Sequence, residues 1–226
     1  MEFPIQMYDP KREYNLHNSD INNAIQNVLN HGKFINGPEI NELEHKLSEY
    51  TGSQCITVSN GTDALKIALL ALNVGKDDEV ITVAHSWIST VEVISIINAV
   101  PVFVDIEPIT FNMDVNKLES AITNKTKAII VVSLYGHMAN IEKINEIASK
   151  YNLAVIEDGA QSFGASYKGI KSGNCSTIST TSFFPAKPLG CYGDGGAIFT
   201  NSDDLSKKLK ILRVHGQTKK YFHKYI

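Results

Sequence analysis

Seven short apolar runs recur along this chain, at 55–59, 79–84, 101–105, 128–133, 153–158, 178–183 and 196–201. Helix-patterned segments fall between many of them, most clearly at 61–72, 86–98, 114–122, 140–151 and 203–214. This alternation predicts an α/β sheet covered by crossover helices. The chain has 226 residues and 43% hydrophobic content, enough for one substantial core. Ahead of the first run, 18–30 and 38–50 read as two helices joined by the loop 31–37, which glycines flank.

The charge balance narrows the function classes. A formal net charge of −3 gives no reason to expect nucleic-acid or anionic-membrane binding. The chain opens on no signal-like apolar run and contains no stretch of membrane-spanning length. Three cysteines, Cys55, Cys175 and Cys191, form no Cys-x-x-Cys and leave an odd count, so a reducing cytoplasm is expected.

One lysine stands in unusual company. Lys187 lies between Pro185 and Pro188, just ahead of Gly190, Gly193, Gly195 and Gly196. Each proline fixes its own φ, and Pro188 disfavours the α region for Lys187. The glycines allow a close backbone approach to a ligand. A solvated surface lysine needs none of this. Upstream, the run 153–158 reads as a buried parallel strand that ends on Glu157 and Asp158, with Gln161 close behind. Ligands of open α/β sheets bind beyond the carboxyl ends of the strands, which is where Asp158 points. Helix capping and metal ligation are the competing readings of this aspartate. No His/Cys/Asp cluster with ligand spacing accompanies it, so no metal site is expected.

A lysine for a Schiff base and an aspartate for a pyridinium nitrogen are the pair that pyridoxal phosphate (PLP) requires. Its phosphate calls for N–H groups at a helix start. Ser59-Asn-Gly-Thr62, between a strand and a strongly helical segment, offers them. A dinucleotide-binding oxidoreductase fits less well, because no Gly-x-Gly-x-x-Gly follows the first strand.

These residues resemble the DegT/StrS family of PLP-dependent nucleotide-sugar aminotransferases. The likeness is carried by Ser59-Asn-Gly-Thr-Asp-Ala-Leu65, Val83-Ala-His-Ser-Trp87, Val102-Phe-Val-Asp105, Ser133-Leu-Tyr-Gly-His137 and Ile156-Glu-Asp-Gly-Ala-Gln161. Ser182-Phe-Phe-Pro-Ala-Lys-Pro-Leu-Gly190, Gly193-Asp-Gly-Gly-Ala197 and His215-Gly-Gln217 complete it, in family order. The resemblance implies an aspartate-aminotransferase-like (PLP fold type I) large domain, with a mostly parallel seven-stranded sheet and helices on both faces. Residues 1–50 would form an N-terminal helical segment and 51–226 the PLP-binding large domain. The family's smaller C-terminal domain is expected to be absent.

The same resemblance implies roles. Lys187 would form the Schiff base and move the proton, Asp158 would pair with the pyridine nitrogen, and Gln161 would touch the phenolic oxygen. Gly61, Thr62 and Ser182 would hold the phosphate, and Trp87 would stack on the ring. Without the family, Trp87 reads equally well as a core residue, and His85 as a structural histidine. The implied reaction moves an amino group from an amino acid, expectedly glutamate, to a nucleotide-linked keto sugar, with UDP sugars as the nearest likeness. Surface-polysaccharide or glycan precursors would be the products, made by a cytoplasmic homodimer. The rival is a non-catalytic regulatory or assembly subunit of the same fold, which only the short length supports.

Overall fold

The computed structural model describes residues 8–225. They fall into two compact units that divide between Lys46 and Leu47. In the first unit, helix α1 (Pro10–His31) starts well ahead of the expected 18–30. Its start is set by Asp9, whose carboxylate accepts the Arg12 N–H at 3.0 Å, and by Pro10 at a position that needs no N–H donor. His17 leaves helical geometry (φ −124°, ψ 19°) and kinks the helix. Gly32 ends it in the left-handed region, φ 65°. Helix α2 (Pro38–Thr51) follows, with the division between the units inside it.

The second unit is built on the predicted sheet. Its strands are β1 (Gln54–Val58), β2 (Glu79–Thr82), β3 (Val100–Phe103), β4 (Thr126–Val132) and β5 (Ala154–Asp158). After a small hairpin of β6 (Ser166–Tyr167) and β7 (Ile170–Lys171) come β8 (Ile178–Ser182) and β9 (Gly196–Thr200). The order across the seven-stranded sheet is β1-β9-β8-β5-β4-β2-β3. Neighbours from β8 through β3 pair in parallel, whereas β9 lies antiparallel to both β8 and β1. A second hairpin, β10 (Gln217–Lys219) with β11 (Phe222–His223), closes the described chain.

Helices α3 (Gly61–Ala71), α4 (Ser89–Ile96), α5 (Val115–Leu118), α6 (Ile141–Lys150) and α7 (Asp203–Arg213) connect the strands. The pleat of β4 shows why its sequence is apolar throughout. Ala128 and Ile130 join Ile56, Leu65, Leu69 and Leu209 in one core layer, whereas Ile129 and Val131 join Leu118, Ile144 and Val155 in the other. A strand buried on both faces has no polar side to alternate with. Two helices are shorter than their sequence pattern predicts. The segment 86–98 is helical only over α4, and 114–122 gives four residues of α5 and a 3₁₀ turn, Glu119–Ala121, that Ile122 ends with extended backbone.

Strand β3 forms one edge of the sheet. Val100 and Val104 donate inward to Asp78 and Thr82 carbonyls at 2.8 and 2.9 Å. The intervening Pro101 therefore sits where an N–H would point outward, and it has none.

Ile130, fully buried in the middle of β4, tests the core. Ile130→Ala is expected to cost about 2–5 kcal/mol of stability, read as a lower urea midpoint at unchanged slope.

Candidate active site

The carboxyl ends of the parallel strands gather the residues singled out above. Asp158 is the last residue of β5 and is 7% exposed. Its Oδ2 accepts from the Thr90 hydroxyl at 2.8 Å, and its Oδ1 accepts the Ala160 N–H at 3.3 Å. Burial pushes the Asp158 carboxyl above its ordinary range. The Thr90 and Ala160 hydrogen bonds and the positive charge of Lys187 oppose that shift, and the neighbouring Glu157 adds to it. Glu157 points to the other face of the strand. It is fully buried and accepts from Ser133 Oγ (3.3 Å), Ser172 Oγ (2.9 Å) and the Gly173 N–H (2.9 Å).

Lys187 is half-buried in the loop between β8 and β9. That loop is closed by backbone bonds. Phe183 donates to the Gly195 carbonyl at 2.7 Å, Cys191 to Phe183 at 2.8 Å, and Lys187 itself to Phe184 at 2.8 Å. Gly190 is required here, because a Cβ at that position would lie 2.3 Å from the Pro185 carbonyl oxygen.

The start of α3 approaches the same strand ends. Asn60 caps the helix by accepting the Asp63 N–H at 2.8 Å. A Cβ on Gly61 would meet the Ser182 Cβ at 2.8 Å, and one on Gly196 would meet the Asn60 carbonyl at 2.6 Å. Helix α3, β8 and β9 therefore converge at van der Waals limits, leaving the first N–H groups of α3 beside the Ser182 hydroxyl. N–H groups at such a helix start are the kind of donor an anion cradle uses. Thr62 Oγ1 lies 2.8 Å from Ser89 Oγ, and Ser182 Oγ accepts the Phe184 N–H at 3.2 Å.

Two further candidates each accept a backbone N–H nearby. Gln161 presents Oε1 to the Tyr135 N–H at 3.0 Å, and Tyr135 holds a left-handed φ of 56°. Trp87 is 70% exposed, so it is no core residue, and its carbonyl accepts the Thr90 N–H at 3.2 Å. His85, also exposed, lies 3.4 Å from the Tyr135 hydroxyl and beside the Phe111 ring. Sequence reasoning missed Thr90 and Ser89. Their only signal is the hydroxyl-rich Ser86-Trp-Ile-Ser-Thr90, which reads equally well as helix capping.

No three His, Cys, Asp or Glu side chains gather as metal ligands among the described residues. No helix of those residues is long and apolar enough to cross a membrane. A cavity of about 530 Å³ lies at the opposite ends of β5 and β8, and its lining, which includes Asn145, Asn174 and Cys175, carries no charged side chain.

A parallel sheet that sets a lysine, a buried carboxylate and an anion cradle at its strand ends has the architecture of a PLP-binding transferase domain. The DegT/DnrJ/EryC1/StrS aminotransferase family model matches residues 15–226, and the chain belongs to that family. It is 53% identical over 220 residues to the UDP-2-acetamido-2-deoxy-3-oxo-D-glucuronate aminotransferase of Pseudomonas aeruginosa, covering 97% of this chain and 61% of that one. A solved DegT/DnrJ/EryC1/StrS aminotransferase from Brucella abortus superposes with a TM-score of 0.95 at 39% identity, over 98% of this chain and 62% of that one. NtdA from Bacillus subtilis, solved with bound cofactor PMP, gives a TM-score of 0.89 at 39% identity, over 94% and 48% of the two chains. The chain thus spans about 60% of the length of the first of these relatives.

The raised Asp158 pKa fixes a sign for stability. A carboxyl whose folded pKa lies above its unfolded value stabilises the fold fully below the unfolded value, near pH ~4, and that contribution is lost as pH rises through the folded pKa. Without cofactor, Asp158→Asn is expected to abolish this loss. Urea unfolding at several pH values should show the variant at least as stable as wild type above the window.

Proposed function

We propose that this chain is the cofactor-binding portion of a PLP-dependent aminotransferase acting on a nucleotide-linked keto sugar. The observation that carries the reading is Asp158, a carboxylate buried at a strand end within the field of Lys187. A buried carboxylate gains most from a cationic partner, and a protonated pyridine nitrogen is one. The cofactor fits the residues present. The Gly61–Ser182 cradle suits its phosphate, with Thr62 alongside, and the exposed face of Trp87 suits its ring. Gln161, three residues beyond Asp158, would touch the phenolic oxygen.

When bound, PLP supplies an electron-poor ring that takes up the electron pair left when a carbon loses its proton. The chain's own residues do the rest. Asp158, ionised beside the cationic ring, would hold a proton on the ring nitrogen. Lys187 Nζ would carry the proton between the substrate carbon and the cofactor carbon, as general base and then general acid. Pro185 and Pro188 stiffen the backbone that carries that amine.

The name of the Pseudomonas aeruginosa relative supports a UDP-linked keto sugar as acceptor. Glutamate as donor, glycan precursors as products, a cytoplasmic location and a homodimeric active unit belong to the same reading. In the dimer, Phe34 and Ile35, which are 64% and 86% exposed, would line the partner subunit's pocket. The division of labour is residues 1–50 as a helical segment and 51–226 as the cofactor domain. A regulatory subunit has less support, because Lys187, Asp158, Gln161 and Trp87 are all retained.

Borohydride reduction of the PLP-loaded chain followed by peptide mapping should place the label on Lys187, and a label on another lysine overturns the assignment. In the full-length enzyme, Lys187→Ala should abolish turnover while phosphate-anchored PLP binding persists. Asp158→Asn should slow the amino-donor half-reaction by orders of magnitude in a folded protein, and a near wild-type rate would refute the electron-sink role.

A further inference from the structure

The hydroxyls of the segment Ser86 to Thr90 reach two parts of the proposed site, Asp158 and Thr62. Thr90 is fully buried and donates to Asp158 Oδ2 at 2.8 Å. Ser86 Oγ lies 2.7 Å from Thr90 Oγ1. A hydroxyl has one proton, and an ionised carboxylate only accepts. With Asp158 ionised, the direction is therefore fixed: Ser86 donates to Thr90, and Thr90 donates to Asp158. Ser89 reaches the other way, 2.8 Å from the Thr62 hydroxyl at the anion cradle. Trp87, between them, presents its ring to solvent.

A second observation is independent of these bonds. Helix α4 starts at Ser89 without any side-chain cap, its cap position being Ile88 in helical geometry. Serine and threonine near a helix start ordinarily accept its first N–H groups. Here Ser86, Ser89 and Thr90 are all at hand, yet their hydroxyls bond to one another, to Asp158 and to Thr62. A local rule broken at one place marks a functional demand.

We propose that Thr90, backed by Ser86, is a positioning residue that holds Asp158 Oδ2 and, together with the Ala160 N–H on Oδ1, orients the carboxylate so that a remaining lone pair meets the cofactor's ring nitrogen. This rests on the PLP reading above. The charged groups that act on Asp158 are Lys187, from the loop after β8, and Glu157, which lies on the opposite face of the same strand. Thr90→Val leaves both in place and removes only the hydroxyl, in a side chain of nearly the same shape.

The test follows the titration of Asp158 by NMR in the chain labelled with ¹³C aspartate, the signal being assigned with Asp158→Asn. Binding of PLP labelled with ¹⁵N at the ring is measured in parallel. Thr90→Val should raise the Asp158 pKa by about one unit or more, because a donor to the charged form is lost. It should also weaken PLP binding about tenfold, the order expected for one hydrogen bond to a charged group. Thr90→Ser should restore both readouts, and Ser86→Ala should shift them in the same direction by less.

A purely structural Thr90 would lower the unfolding midpoint and leave the titration where it was. That result in folded Thr90→Val overturns the proposal. If Thr90→Val does not fold, an unmoved titration in Ser86→Ala overturns it instead. A wild-type chain that shows no bound ring nitrogen sinks the cofactor reading, and this proposal with it. Wild-type binding with an unchanged Thr90→Val sinks the proposal alone.

Discussion

The charge on Asp158 is held where burial opposes it. At the end of β5, with 7% of its surface left to solvent, the Asp158 carboxyl is pushed toward its neutral form, and the donors brought to it are what favour the anion. Those donors come from Thr90 and from the Ala160 backbone, with the positive end of Lys187 in support. Each arrives on a different connection of the sheet, so the α/β topology itself is what makes the site affordable. An isolated strand could place the carboxylate, but it could not satisfy it.

The reversed strand β9 has an equally direct role. Because it runs against β8, its first residue lies at the same end of the sheet as the last residue of β8, and the Lys187 loop begins and ends there. The loop is thus a closed excursion above the strand ends, pinned at its base by the Phe183–Gly195 bond. At that base Gly196 and Gly61 let three backbones meet, which no residue with a side chain would allow. The position of the lysine and the shape of the anion cradle therefore share one cause.

Much of this was legible in the sequence, and the reasons are specific. The seven strands announce themselves because β4 and its neighbours are buried on both faces and read as apolar runs. Lys187 stands out because prolines and glycines impose local geometry that few other segments need, and the turn at 59–62 because it opens a helix, whereas Ser182 comes only from the family likeness. What sequence reading misses is set by distance along the chain. Thr90 finds Asp158 across 68 positions and Ser89 finds Thr62 across 27, and nothing local distinguishes their hydroxyls from ordinary caps. The same diversion helps explain why the helix expected at 86–98 begins only at Ser89. At the other end of the chain, α1 outruns its apolar pattern because Asp9 and Pro10 set its start.

Pro101 has a consequence outside catalysis. The open border of β3 would otherwise offer an unpaired donor to any passing extended segment, the template on which sheets of separate molecules fuse. Removing that donor at mid-strand leaves the border unable to continue the ladder in register. The exposed Val100 and Phe103 on either side can then stay apolar without inviting a stranger's strand. One imino acid thus weakens the template at the flank farthest across the sheet from β1.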